Sequence, residues 1–167
     1  MHVKVTVIPS IFVDTELWIY SLKVPAMENY STKEHHEQDM QRHLQVRSFF
    51  KTLESDVVFF FTTHQLCEIY HALRFRGKKM DADFSRAFID SIMNADTSRI
   101  IEPSKDDVKK SIELSLASNI HVWDFLCIVP IKDAIGVIYT SDKHFTSEAM
   151  RTLGVNIENP IATWDEL

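Results

Sequence analysis

Short apolar segments alternate along the chain with longer segments in which apolar residues recur every three or four positions. Four segments have the length and apolar character of buried strands: "IFVD" at 11–14, "DVVFFF" at 56–61, "RIIEP" at 99–103 and "GVIYT" at 136–140. Strands that alternate with helices indicate an α/β protein. We therefore predict a three-layer α/β/α sandwich whose central sheet is mainly parallel.

The ends of several elements are also marked in the sequence. Alternating valines predict a strand over residues 2 to 8, and "VNIEN" at 155–159 predicts a last edge strand. The helix after "DVVFFF" begins at Thr62, with Gln65 completing a capping box, and stops at Gly77. Further helices are predicted from Asp81 to Ala95, from Ser104 with Asp107, and from about His121. A long polar helix, broken at most once, is predicted from Ser31 to Ser55, with its apolar side formed by Met40, Leu44, Phe49, Phe50 and Leu53.

Length and composition limit the class of protein. The 167 residues suffice for one domain, which we predict to span 1–167, and 45% hydrophobic with 25% charged residues is the composition of a compact globular protein. The net charge of -6 argues against a general nucleic-acid coat, which needs many Lys and Arg residues, although a local basic patch is compatible with it.

Nothing in the sequence indicates a membrane protein. No apolar segment approaches the roughly 18 residues of a membrane span, and "MHVKVTVIPS" lacks the continuous apolar region of a signal peptide. We predict that Cys67 and Cys127 are buried free thiols in a reducing compartment. We therefore expect a cytoplasmic protein that does not enter a membrane.

Two aspartates stand where predicted strands end. Asp14 ends "IFVD", and Asp142 follows "GVIYT". Because the carboxyl ends of parallel strands meet at one edge of a sheet, both acids are expected at the edge where ligands gather. Each also suits an ordinary helix cap or turn. Glu68 lies near the start of the helix that follows the second strand, but it is off the apolar stripe, so the helical wheel alone favours a solvated surface residue.

Asp124 interrupts the apolar segment "NIHVWDFLCIVPI", which contains no Lys or Arg. A carboxylate buried there requires a cation or a distant basic partner. Four acids around one site repel one another unless a divalent ion is bound, and oxygen ligands suit Mg²⁺ or Mn²⁺.

Four segments, in order, resemble the acidic motifs of the PIN-domain family of metal-dependent ribonucleases, which includes the VapC toxins: "IFVDTELWIYSL", "TTHQLCEIYHAL", "HVWDFL" and "IYTSDKHF". The resemblance implies that Asp14, Glu68, Asp124 and Asp142 bind Mg²⁺ or Mn²⁺ and, with Thr140, form the catalytic site. It also identifies Thr15 as a supporting hydroxyl. It implies a PIN-like fold, RNA hydrolysis, a homodimer, and an antitoxin partner for toxin members.

The sequence departs from the family pattern at two positions. Glu16 stands where Asn or Ser is frequent, and Phe125 stands where a small residue is common. These departures support a second interpretation, a PIN-like RNA-binding or scaffold protein with little or no nuclease activity. The basic segment "RFRGKK" at 74–79 either binds RNA phosphates or merely complements the helix dipole. His144, next to the expected site, is either a substrate contact or a surface turn residue.

Overall fold

The computed structural model describes residues 8–53, 55–161 and 163–165. Its sheet has five strands, all parallel, in the order β3-β2-β1-β4-β5. The strands are β1 Ser10–Val13, β2 Val58–Thr62, β3 Ser98–Ile101, β4 Val137–Tyr139 and β5 Asn156–Glu158. The predicted parallel sheet and its last edge strand are confirmed. The strand predicted over residues 2 to 8 lies, apart from Ile8, outside the described residues.

Helices connect the strands and cover both faces of the sheet. The α-helices are α1 Thr15–Leu22, α2 Lys33–Thr52, α3 Thr63–Phe75, α4 Ala82–Asn94, α5 Lys105–Ser118, α6 Val122–Ile128 and α7 Glu148–Arg151. Two short 3₁₀ helices span Met27–Asn29 and Lys143–Thr146. The long polar helix is α2, and it is a single unbroken helix. The capping box of Ser104 with Asp107 opens α5 as predicted.

The core consists of two layers separated by the sheet. Consecutive side chains of β1 point to opposite faces, so that Phe12 packs with α6 and α7, whereas Ile11 and Val13 pack with α1 and α2. Side chains of α3 and α4 extend the second layer around Phe61. The chain therefore has the three-layer α/β/α architecture, and the carboxyl ends of β1, β2 and β4 lie next to one another.

Two details of helix packing differ from the sequence prediction. Leu44, expected on the apolar side of α2, is 59% exposed, whereas His43 is buried and its Nδ1 lies 2.6 Å from the carbonyl oxygen of Tyr20. The capping box of Thr62 is only half formed. Thr62 accepts from the Gln65 backbone N–H, but the Gln65 side chain donates to the Val13 carbonyl at 2.7 Å and so ties α3 to β1.

One further prediction is corrected at the cysteines. Cys127 is buried as expected, but Cys67 is exposed because it lies on the outer side of α3. The helix that carries Cys127, α6, ends at Ile128, before Pro130, since proline cannot continue a helix hydrogen-bond ladder. Within the described ranges, no helix combines the length and apolar character needed to cross a membrane.

Candidate active site

Asp14 and Asp142 are brought together at the carboxyl edge of the sheet by the pairing of β1 with β4. Each is a helix cap: Asp14 accepts from Thr15 N at 2.7 Å, and Asp142 accepts from His144 N at 2.7 Å. Thr140 links the two, because its hydroxyl donates to Asp14 Oδ2 at 2.7 Å and accepts from Asp142 N at 3.0 Å. The capping role and the expected convergence are therefore both present.

Glu68 projects from α3 toward the same edge. Its side chain is 27% exposed, so the solvated position favoured by the helical wheel is wrong. Oε2 accepts from the Thr15 hydroxyl at 3.4 Å and lies 3.7 Å from the Cys127 thiol, while Oε1 lies 3.5 Å from His64 Nε2. These contacts hold the carboxylate between the start of α1 and α6.

Asp124 lies in the first turn of α6 and faces Asp142 across His144. His144 Nδ1 is 3.7 Å from Asp124 Oδ2 and 3.6 Å from Asp142 Oδ1, both too long for a hydrogen bond. Asp124 Oδ2 is buried and has no hydrogen-bond partner among the described residues. The expected positive partner is therefore not a Lys or Arg of the described segments but, at most, a histidine.

The four carboxylates form one electrostatic group, which we call the carboxylate cluster (Asp14, Glu68, Asp124 and Asp142). Burial, followed by the charges of Asp14 and Asp142, raises the pKa of Asp124 to about 8. Burial also raises the pKa of Asp14 to about 7, against the hydrogen bond from Thr140 and with the charge of Asp142. The fold thus holds acids together at a cost in free energy.

Glu16, the departure from the family pattern, points into this region. Burial, the charge of Asp14 and that of Asp165 raise the pKa of the Glu16 carboxyl to about 8. Its Oε2 accepts from the Ser141 hydroxyl at 3.2 Å. A fifth acid therefore borders the carboxylate cluster.

The donor set fits a divalent cation. Two groups have ligand atoms within 4.8 Å of one another: Asp124, Asp142 and His144, and separately His64, Glu68 and Cys127. The unpartnered oxygen of Asp124 and the raised pKa of Asp14 are both relieved by a bound cation, and carboxylate oxygens are the ligands that Mg²⁺ and Mn²⁺ prefer. Residues of the carboxylate cluster could accordingly hold the ion.

The carboxylate cluster opens into a cleft of about 510 Å³ whose lining also contains basic residues, which we call the basic wall. They are Lys23, Arg76 and Lys78, and Tyr20 and Tyr30 line the same cleft. Lys23 is held in place by donating to the carbonyl oxygens of Ala72 and Arg76, at 2.6 and 2.5 Å, at the end of α3. Part of "RFRGKK" thus faces the acids across one cleft.

Sequence reasoning missed the polar group that supports Asp142, which we call the Asp165 network (Arg42, Ser141 and Asp165). Asp165 is 6% exposed, pairs with Arg42 Nη2 at 2.7 Å, and accepts from the Ser141 hydroxyl at 2.9 Å. Its backbone extends the sheet edge through a parallel bridge between Asp142 and Asp165. No local pattern could indicate it, since its members come from three distant segments.

Comparisons with known proteins identify the fold. No protein-family model and no curated protein matches the sequence. Among solved structures, the chain is similar to VapC20 of Mycobacterium tuberculosis, described as a toxin that cleaves the sarcin-ricin loop, with a TM-score of 0.60 and 18% identity over 81% of this chain and 92% of that one.

Two further structures are complexes with DNA. A chain of FitAB bound to the IR36 DNA fragment matches with a TM-score of 0.54 and 12% identity, over 94% of this chain and 97% of that one. A chain of VapBC2 from Rickettsia felis, bound to a DNA fragment from the promoter of the pair, matches with a TM-score of 0.52 and 14% identity, over 93% and 99%. The fold is therefore PIN-like and of the VapC type.

Proposed function

We propose that this protein is a metal-dependent endoribonuclease that hydrolyses phosphodiester bonds of RNA and acts as the toxin of a toxin–antitoxin pair. The observation that supports it is the convergence of four carboxylates from β1, α3, α6 and the end of β4, with an Asp124 oxygen left unpartnered. A fold that only needed stability would not concentrate buried acids in this way. The shared fold with VapC20, a toxin described as cleaving the sarcin-ricin loop, supports RNA as the substrate.

In this proposal, the carboxylate cluster holds one or two Mg²⁺ or Mn²⁺ ions. When bound, the metal supplies Lewis-acid stabilisation of phosphate charge and lowers the pKa of a water molecule. Thr140 is a positioning residue, because its hydroxyl fixes Asp14 Oδ2 and receives the Asp142 N–H. Thr15 positions Glu68 in the same manner, although its contact of 3.4 Å is longer.

In this proposal, the basic wall of the cleft binds the RNA strand next to the scissile phosphate. A protein with a net charge of -6 repels RNA at long range, so local cations must bind the phosphates next to the scissile one. Arg76 and Lys78 are exposed and line the same cleft as the acids. We assign them to the phosphates that flank the scissile one, which gives the basic segment "RFRGKK" a role in substrate binding.

Partner proteins are a further part of the proposal. Three apolar residues are spaced four apart along α5 and are exposed: Val108 at 40%, Ile112 at 47% and Leu116 at 82%. Such a stripe suits the interface of a homodimer. FitAB and VapBC2 are complexes of paired proteins, which supports an antitoxin as the second partner of this chain.

The function is tested with purified wild type, Asp142→Asn and Asp133→Asn on single-stranded and hairpin RNAs in Mg²⁺, Mn²⁺ or EDTA. Asp133 is the matched control, since its side chain is 89% exposed and lies outside the cleft. We expect metal-dependent cleavage by wild type and by the control, and none by Asp142→Asn. Binding of Mn²⁺, followed by calorimetry, should be weakened in Asp142→Asn alone.

Other outcomes distinguish the alternatives. Equal cleavage by wild type and Asp142→Asn would mean a contaminating nuclease. RNA binding by wild type without cleavage in any metal would favour the scaffold interpretation. The structural feature that supports this interpretation is the buried Glu16 beside Asp14.

A further inference from the structure

An aromatic ring stands beside the carboxylate cluster and has no part in the function described above. Trp123 lies in the first turn of α6, directly before Asp124, and is 51% exposed. A single exposed aromatic residue is ordinary on a protein surface, so exposure alone says little. What distinguishes Trp123 is the residue that packs against its ring.

His64 lies against the indole. The two rings are stacked with their centroids 4.6 Å apart and an interplanar angle of 16°. His64 lies on α3, one turn before Glu68, and its Nε2 is 3.5 Å from Glu68 Oε1. The indole is thus held between two helices that each carry a member of the carboxylate cluster, and its orientation is fixed in advance.

The surroundings of the ring favour one kind of occupant. The ring that stacks on it, His64, is polar and lies 3.5 Å from Glu68, and the next residue in sequence is Asp124. A purely apolar surface of a protein partner would therefore meet titratable groups beside Trp123. A nucleobase suits the site better, because it offers a flat face for stacking and polar edges for its surroundings.

The position also agrees with the path of a bound strand. Trp123 is not among the residues that line the basic cleft, whereas Asp124, its neighbour in sequence, is. Phosphates inside the cleft would follow Arg76 and Lys78, and a nucleotide that leaves the cleft beside Asp124 would reach Trp123. An unpaired base is required, since a paired and stacked base presents no free face.

We propose that Trp123, backed by His64, is a stacking platform for one unpaired nucleobase next to the phosphate at the carboxylate cluster. This inference rests on the proposed function, because it places a substrate strand across that cluster. His64 acts as a positioning residue that fixes the indole, and Trp123 contacts the substrate. The ligand is defined by its class, a base of single-stranded RNA, and not by sequence, since stacking tolerates every base.

The test couples a protein change with a substrate change. Binding of a short, labelled single-stranded RNA is measured by fluorescence anisotropy in Mg²⁺, with Asp142→Asn in every protein to prevent cleavage. Trp123→Ala and Trp123→Phe are compared on the intact RNA and on a series in which one base at a time is removed, leaving an abasic sugar. Phe84→Ala is the control, because Phe84 is 43% exposed and stacked on Phe88, and α4 contributes nothing to the cleft.

We expect Trp123→Ala to weaken binding of intact RNA roughly 5- to 100-fold, the range typical of one lost base–aromatic stack. Trp123→Phe should retain most of the affinity, and Phe84→Ala all of it. At one position of the series, removing the base should weaken binding by the Asp142→Asn protein, while adding Trp123→Ala there should cause no further loss. His64→Ala should give a smaller loss at that same position.

Three results of the binding assay would overturn the platform, and a fourth comes from sedimentation. The first three are a Trp123→Ala penalty that is the same at every abasic position, no penalty at all, and no measurable RNA binding by the Asp142→Asn protein. If Trp123→Ala instead dissociates a dimer in sedimentation without changing RNA affinity, the ring is a protein contact and the inference is wrong. Base-specific coupling without cleavage by wild type would retain the platform and refute the nuclease, so the two failures are separable.

Discussion

Two groups that contain acidic side chains lie side by side at the carboxyl edge of the sheet, and the fold compensates the acid in only one of them. In the Asp165 network, the buried carboxylate has the Arg42 guanidinium at 2.7 Å and the Ser141 hydroxyl at 2.9 Å. In the carboxylate cluster, Asp124 Oδ2 has no hydrogen-bond partner among the described residues. The acid of the first group is therefore satisfied by the protein itself, whereas the second group contains an acid that the described residues leave without a partner, as the proposed cation site requires.

This contrast has opposite consequences for stability and function. Removing a partner from a satisfied ion pair leaves a buried charge and destabilises the protein. Neutralising an acid that has no partner relieves repulsion and stabilises the metal-free protein, but under the proposed function it also removes a metal ligand. Removing one charge should therefore lower the stability in the first group and raise it in the second.

The largest effect is expected for Asp124→Asn. Loss of a metal ligand should lower metal-dependent cleavage by at least about 100-fold, a larger loss than changes around a metal site usually cause. The Tm in EDTA at pH 8 should rise, because a buried acid whose pKa is raised to about 8 has been replaced by a neutral amide. Kinetic assays test the loss of cleavage, and calorimetric melting tests the rise in Tm. A lower Tm would mean that Asp124 is compensated within the fold, and the contrast would fail.

The second effect is expected for Arg42→Met, which leaves Asp165 buried without its cation. Because the Arg42 side chain is itself 29% exposed, we expect a loss of about 2 kcal/mol, below that for a fully buried pair, and a Tm lower by roughly 5 °C. Arg47→Met, an exposed position on the same helix, is the control. Adding Asp165→Asn to Arg42→Met should recover part of the loss. A loss that the second substitution does not reduce would show that Arg42 acts through other contacts.

The sequence predicts the two groups to very different extents. Asp14 and Asp142 could be placed because each directly follows an apolar strand, and the parallel arrangement then brings them together. Glu68 could not be placed from its own helix, since helical periodicity describes one element and its partners Thr15 and Cys127 belong to others. The family resemblance covers several segments at once, and it therefore groups Glu68 with Asp14, Asp124 and Asp142, which the helical wheel cannot do.

The Asp165 network could not be predicted from the sequence pattern. Ser141 and Asp165 are 24 positions apart, and Arg42 lies on a helix whose apolar face the sequence predicts only in part. Leu44 is predicted on the apolar side of this helix and is exposed. Its neighbour His43 is buried, and its ring nitrogen lies within hydrogen-bond distance of the Tyr20 carbonyl oxygen. Hydrophobic patterning records the average environment of a position, whereas long-range hydrogen bonds decide these exceptions.

The third prediction concerns pH and the metal-free protein. The folded pKa values of Asp14, about 7, and of Glu16 and Asp124, about 8, exceed their unfolded values near 4. The folded state therefore binds more protons than the unfolded state across this interval. Stability contributed by these groups is fully present below about pH 4 and is lost as pH rises to about 8. In EDTA we expect the Tm to fall by roughly 5 °C or more between pH 5 and pH 8.

The metal provides the control for this pH dependence. With saturating Mg²⁺ the carboxylates of the cluster are compensated, so the Tm should fall less steeply over the same interval. Asp133→Asn should follow wild type in both buffers, since its side chain is 89% exposed. A slope that is equal with and without Mg²⁺ would contradict the assignment of the carboxylate cluster as a cation site.

The smallest effect is expected for Glu16, which lies between the two groups. The Ser141 hydroxyl is within hydrogen-bond distance of both Glu16 Oε2, at 3.2 Å, and Asp165 Oδ2, at 2.9 Å, yet it has one proton to donate. Burial raises the pKa of Glu16 to about 8, so below that pH the Glu16 carboxyl is neutral and the Ser141 hydroxyl can donate to Asp165 alone.

Glu16→Gln keeps a polar group of the same shape at this position and removes the charge. In EDTA, we expect its Tm to equal that of wild type at pH 5 and to exceed it by a few degrees at pH 8. Glu16→Ala, which removes the polar group, should be less stable than Glu16→Gln at both pH values. A lower Tm for Glu16→Gln at pH 8 would mean that the ionised carboxylate is compensated within the fold, and Glu16 would then belong with the Asp165 network.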